Sequence, residues 1–328
     1  MRTSICALLL SVLLAPPPAA GGAGRPRIGV LFWHDSPNDG AAYEGVNEGF
    51  ALAGVLPIFE VVRAAGDDAA ARAALRDFEE RGLDLVYALG TGAALRARAE
   101  VTRVPVVFTA VTDPVGSGVV ASLAGSGRNL CGTASGVDPA DTLRVFRTAL
   151  PGLRALAVVY DPANPVSRGE VEGARRAASA MDPPMRLLER TAEAGALRAP
   201  GGVRAAAADA LAGAGALWIP IDIEIYSRAD QAAAAAAALG RPVLATAPAA
   251  SRTAAAVCVT VDFRAVGRSS VVPALRALRG EDPGAIPVSR PRSYRVVLNL
   301  EAARRSAFEI PLPLLAAADE FAGVAGGR

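Results

Sequence analysis

From Arg25 onward, short apolar runs alternate with alanine-rich amphipathic stretches, and from Ala155 the alternation starts afresh. RIGVLFW (27–33), LPIFEVV (56–62), LDLVYAL (83–89) and VPVVFTAV (104–111) each read as a strand buried on both faces, with helical stretches around 39–53, 67–81 and 92–100 between them. ALAVVYD (155–161), MRLLERT (185–191), ALWIP (216–220) and PVLAT (242–246) repeat the order, separated by helical stretches near 166–181, 201–213 and 225–239. Apolar strands alternating with helices specify a parallel sheet covered on both faces. Two α/β lobes in tandem, each a doubly wound parallel sheet, follow. No residue-by-residue repeat links them, so the likeness is one of architecture.

Length agrees with two lobes, because 328 residues exceed one ordinary core. With 52% hydrophobic and 20% charged residues the chain lies far from the disordered regime. Net charge is +2, and no basic stripe interleaves with aromatics, so nucleic acid is not an expected partner. All 34 basic residues are arginine, which excludes a Walker-type phosphate loop and Schiff-base chemistry. Beyond residue 24, one histidine and two distant cysteines do not make a zinc site, and no cofactor motif is present: GTGAA (90–94) misses the dinucleotide fingerprint at Leu95.

Residues 1–24 have the three-part plan of a secretory signal: Arg2, an apolar run from Ile5 to Ala15 too short to span a bilayer, then small residues around Ala20 and Ala23. Cys6 comes too early for a lipid-modified cysteine. The expected product is periplasmic or secreted and freely soluble.

In such sheets ligands sit beyond the carboxyl ends of the strands, where loops feed helix N-termini. The tips here are WHDSPNDG (33–40), GTGAA (90–94), TDP (112–114), YDPANPVS (160–167), PIDIE (220–224) and APAAS (247–251), all polar, turn-forming or both. Each has a plain structural reading. Asp113 and Asp222 are well placed to cap helices, Trp33 could be core, and His34 could be an ordinary surface histidine. Six such tips in register across two lobes nevertheless describe a cleft.

The succession IGVL, YEGVNEGF, DLVYALGTGAA, VPVVFTAVTDPVGSGVVASL, RNLCGTAS, ALAVVYDPANPVS, ALWIPID, VDFRAVGR and VLNLEAARRSAFEIPLPLLAAAD resembles the ABC-transporter substrate-binding proteins related to the tryptophan- and tyrosine-binding group. The likeness runs from about Ile28 to Asp319. It implies a type I-like periplasmic-binding fold: two lobes, crossover hinge strands, and a small solute in the cleft. It further implies closure on the ligand and an ABC permease as membrane partner; a monomer is expected, and with His34 the only histidine and no nucleophile elbow in GTASG (132–136), not an enzyme. Thr91, Thr112 and Asp113 would form one wall of the cleft; Asn164, Ser167 and Asp222 the other. For an amino acid, the ammonium needs a desolvated carboxylate, for which Asp222 is the choice, and the carboxylate needs donors, Thr91 and Ser167 with nearby backbone, while Trp33, ahead of Tyr226, would offer an aromatic wall. His34 stands beside Trp33 at the same tip.

The chain departs from the family where Ile223 and Glu224 follow the PxD acid, where RTAAAVCVTVD precedes the VDFRAVG stretch, and where Cys131 replaces a threonine-like residue. Segments 130–135 and 257–262 are expected to be neighbouring crossover strands, which would allow a Cys131–Cys258 bond at the hinge. Residues 25–135 with 262–290 are assigned to the first lobe, and 136–261 with 291–328 to the second. Two alternatives stay open: a ligand sensor feeding a signalling partner, and a cleft enzyme using Asp113 and Asp222 as an acid–base pair.

Overall fold

The computed structural model describes residues 24–291 and 293–323. The expected secretory segment, apart from Gly24, lies outside them. Among the described residues no helix is long and apolar enough to cross a membrane.

The first sheet holds β1 (Arg27–Phe32), β2 (Ile58–Arg63), β3 (Leu85–Leu89), β4 (Val106–Val111) and β5 (Leu130–Ala134), all parallel, in the order β2-β1-β3-β4-β5. Every residue of β3, β4 and β5 is buried, as continuous apolar runs demand of strands covered on both faces. β2 corrects the expectation of full burial: it is the edge strand and half-exposed, with Glu60 bonded to Arg27 and Arg81 at the rim.

Helix α1 (Pro37–Leu52) covers one face, and α2 (Asp68–Glu80) and α3 (Gly90–Glu100) cover the other. The chain returns late to complete the first face with the helix Phe263–Leu278, which lies against α1. The two helices touch backbone to backbone: a Cβ on Gly45 would stand 1.9 Å from the carbonyl oxygen of Arg264, and one on Gly267 would stand 1.9 Å from that of Ala42.

The second sheet has the order β12-β11-β10-β9-β8-β6-β7. It comprises β6 (Ala155–Tyr160), β7 (Arg186–Thr191), β8 (Ala216–Ile219), β9 (Val243–Ala245), β10 (Val257–Thr260), β11 (Arg295–Asn299) and β12 (Glu320–Ala322), flanked among others by α4 (Pro139–Ala149) and α5 (Pro165–Ala180). Only the β10–β11 pair is antiparallel. Its cause is the excursion of the chain: after β10 it crosses to the first lobe, forms the long helix, and re-enters the second sheet from the opposite end. On the way back Ser289 bridges to Thr133 of β5, and their hydroxyls lie 2.6 Å apart.

Both described cysteines are free and buried. The expected hinge disulfide is not formed, because β5 and β10 belong to different sheets. Cys131 packs among the residues under α1, and Cys258 sits in the far face of the second lobe with its thiol toward the Ala247 carbonyl at 3.6 Å. Burial pushes the Cys131 thiol up to about 12. Both thiols are therefore expected to ignore a thiol reagent in the native protein. Denaturation without reductant should release both, and an unreactive denatured chain would restore the bond.

Candidate functional site

The carboxyl ends of β1, β3 and β4 face those of β6 and β8 across a cleft containing a cavity of about 380 Å³. That is within the range of small-molecule sites. Local sequence explains how its walls are held. Ser36 caps α1, with Pro37 at the first helical position; its hydroxyl accepts from the Asp39 amide at 3.1 Å and donates to Asp39 Oδ2 at 2.8 Å. Asp39, 9% exposed, is thereby fixed on the wall beside Gly90, where a Cβ would stand 3.2 Å from its Oδ1. Gly90 also has φ of +80°, so two separate constraints favour glycine there. Burial raises the Asp39 carboxyl to about 6, with Asp35 adding to the effect and the Ser36 bond opposing it.

Helix α3 begins at Gly90 with no side chain capping it, and Gly90, Thr91 and Gly92 line the cavity. An uncapped helix start offers amide donors and the positive end of the helix dipole to an anion. Trp33 lies close against this turn, since a Cβ on Gly92 would come within 2.2 Å of its ring, and the Arg96 guanidinium covers the ring 3.3 Å from its centroid. Arg96 is held there by Asp68 at 2.7 Å. His34 packs on Trp33 with centroids 5.3 Å apart; burial and then Arg96 lower its pKa.

Across the cleft, Asn164 caps α5 and Tyr226 faces Asp39 from the second lobe. Tyr226 is pushed up to about 12 by burial first and the Asp39 charge next. Glu224, one of the two departures after the PxD acid, is tied to Arg198 at 2.6 Å and to Arg228 at 3.2 Å, and its pKa falls accordingly. On the floor, Ala110 has φ of +58° where the β4–β5 register shifts between Phe108 and Val111. A non-glycine residue held in that region at a cavity wall is strain of the kind that gathers at functional sites.

Of the residues singled out from the sequence, Trp33, His34, Thr91, Thr112 and Asn164 line this cavity together, and Asp113 does not. Asp113 lies on a second cavity toward the hinge, shared with Thr112; it accepts from the Gly116 amide at 2.8 Å and faces Gly169 of α5. Asp222 and Ser167 line neither cavity. Asp222 is fully buried behind the wall, where Oδ2 accepts from the Asp161 amide at 3.0 Å and the Ser167 hydroxyl at 2.7 Å, and Oδ1 accepts from the Glu224 amide at 3.1 Å. Burial raises its pKa and these bonds oppose the rise. The ammonium role assigned to Asp222, and the carboxylate role assigned to Ser167, thus give way to a structural one: together they pin the β6 tip to the β8 tip. An acid pair of Asp113 and Asp222 facing each other across the cleft is not formed either.

Asp222→Ala is expected to leave two buried donors unpaired and cost about 2–3 kcal/mol. Denaturant unfolding would measure the loss, while any ligand-induced thermal shift should survive; a shift abolished at unchanged stability would return Asp222 to the binding role.

The model of the family described as ABC transporter substrate binding protein matches residues 27–322. The chain belongs to that family. As a substrate-binding family member it is 26% identical over 216 residues to the tyrosine-binding protein of Clostridioides difficile strain R20291. That match takes in 66% of this chain and spans 61% of the relative's length. Among solved structures, a conserved domain protein of Vibrio cholerae superposes with a TM-score of 0.80 at 23% identity, over 91% of this chain and all of that one. The ABC domain from Streptococcus pneumonia in complex with L-Trp superposes with a TM-score of 0.77 at 21% identity, over 90% of this chain and 99% of that one. Both show the two-lobed fold of type I periplasmic binding proteins.

Proposed function

We propose that this protein captures an amino acid, one with an aromatic or branched side chain, outside the cytoplasm and presents it to an ABC permease. One observation carries the reading: a buried carboxyl at Asp39 shares a cavity with the uncapped start of α3. The ligand ammonium pairs with Asp39, the ligand carboxylate takes the amides of the α3 turn with Thr91, and the side chain lies between Trp33 and Tyr226. The tyrosine-binding relative and the Streptococcus domain in complex with L-Trp support the class. Because the contacts come from both lobes, the ligand favours the shut state by differential affinity, and the permease reads that state. No covalent step is involved, and the protein acts as a monomer.

A thermal-shift screen against amino acids, nucleosides, sugars and carboxylates tests the class. At 100 times its dissociation constant a ligand stabilises the fold by about 2.7 kcal/mol. Amino acids alone should do so, and a shift with sugars alone would refute the reading.

Acid should weaken binding. Asp39 must be ionised to hold an ammonium, and its pKa is about 6. Each pH unit below that value should therefore raise the dissociation constant about tenfold, as calorimetric titrations between pH 8 and 4.5 would record. A flat profile would remove Asp39 from the contact.

A further inference from the structure

The second cavity, of about 410 Å³, lies on the hinge side of Thr112, Ile221 and Phe263, which wall both spaces. None of the ligand contacts proposed above reaches into it. The first lobe contributes Asp113 and Ser135, and the second contributes Glu170 from α5 with Trp218 and Thr246 from the tips of β8 and β9.

Two features are unusual for a mere gap between lobes. Glu170 is half-buried, accepting from the Ile221 amide at 2.8 Å and from the Thr246 hydroxyl, which itself accepts from Trp218 Nε1 at 3.0 Å. Burial holds this carboxyl up at about 7 in spite of those bonds, with the Asp222 charge adding to the effect, so neither of its forms is strongly preferred at neutral pH. Ser135 is only 3% exposed, and its hydroxyl has no hydrogen-bond partner among the described residues. Buried polar groups are ordinarily paired. An unpaired hydroxyl on the chamber wall is a free partner for a ligand.

The lining says what kind. Four acids, Asp113, Asp138, Glu170 and Glu172, stand against two guanidinium groups, Arg176 and Arg290, and the remaining wall is largely apolar. We propose that this hinge-side chamber is a second site, one that takes a small primary ammonium compound with an apolar body. The ammonium is held by Glu170, with the Ser135 hydroxyl as a further partner, and the apolar part lies against Trp218 and Phe263. Because both lobes form its walls, its occupant shifts the same closure equilibrium as the cleft ligand.

The chain has two tryptophans, and each chamber has one: Trp33 in the first and Trp218 in the second. Trp33→Phe therefore leaves Trp218 as the sole reporter. Titrating this variant with phenethylamine at pH 8 is expected to give a saturable change in emission. The change should persist when Asp39→Asn is added, weaken at least tenfold when Glu170→Gln is added, and weaken several-fold with Ser135→Ala. If Glu170→Gln does not fold, lowering the pH to 5.5 in the Asp39→Asn background should weaken binding by the same order. No saturable change, an unaltered titration with Glu170→Gln, or loss of the signal with Asp39→Asn would each overturn the assignment; the last would place the amine in the first chamber.

Discussion

Asp39→Asn is expected to change binding and stability in opposite directions. Removing one partner of a desolvated charge pair costs about 2–5 kcal/mol, so affinity for the amino acid should fall at least thirtyfold. The ligand-free protein should become more stable at pH 8. The folded pKa of Asp39 is about 6, above its value of about 4 in an unfolded chain. The stability linked to its proton is therefore complete below pH 4 and is lost as pH rises through 6. By pH 8 the loss amounts to about 3 kcal/mol. Asparagine carries no such penalty while it can still accept from Ser36. Thermal melts at pH 8 and pH 4.5 should show the variant ahead by several degrees in the first and level with the parent in the second. A variant that is less stable at both values would make Asp39 a structural acid.

Substituting Gly45 or Gly267 by alanine should cause the largest loss of stability. Each new Cβ would overlap a backbone carbonyl oxygen at 1.9 Å, and backbone of two packed helices does not move aside as a flexible side chain does. The helices must part, which loosens the bond from the Tyr87 hydroxyl to the Ser270 carbonyl at 2.9 Å and the packing of Val266 and Val271 around it. Overpacking of this kind costs about 3 kcal/mol, readable in urea unfolding. Glu48, which pairs with Arg264 and Arg268 on the rim of the same helix pair, should by contrast be dispensable, because exposed ion pairs add little. The helix Phe263–Leu278 begins at the hinge, and Phe263 walls both chambers. Gly267→Ala should therefore weaken ligand binding as well as the fold. Unchanged unfolding midpoints in both glycine variants would mean that the helices do not approach as closely as described.

The architecture was legible because buried parallel strands leave unbroken apolar runs and their tips leave glycine, proline and acid. Which side chain at a tip faces the cleft was much less so. Asp39 lies in the WHDSPNDG tip, three residues after a serine N-cap, where an acid reads as routine helix capping. Only its burial against Gly90, a contact between two tips far apart in sequence, shows that it faces a cavity. Asp222 gives the reverse lesson: its local cap on Glu224 could be read from the sequence, whereas its bonds to Asp161 and Ser167 depend on the path of a loop about 60 residues away. The cysteines failed as a pair for a related reason. Crossover segments neighbour one another only after leaving their sheets, and both thiols sit within the strands.

On the proposed reading the cleft recognises both charged ends of an amino acid, the ammonium at Asp39 and the carboxylate at the start of α3. The most direct test is calorimetric titration with the tightest-binding L-amino acid, with its decarboxylated amine, and with its deaminated acid. Both truncated analogues are predicted to bind at least thirtyfold more weakly than the amino acid. A deaminated acid that binds as tightly as the amino acid itself would contradict the claim.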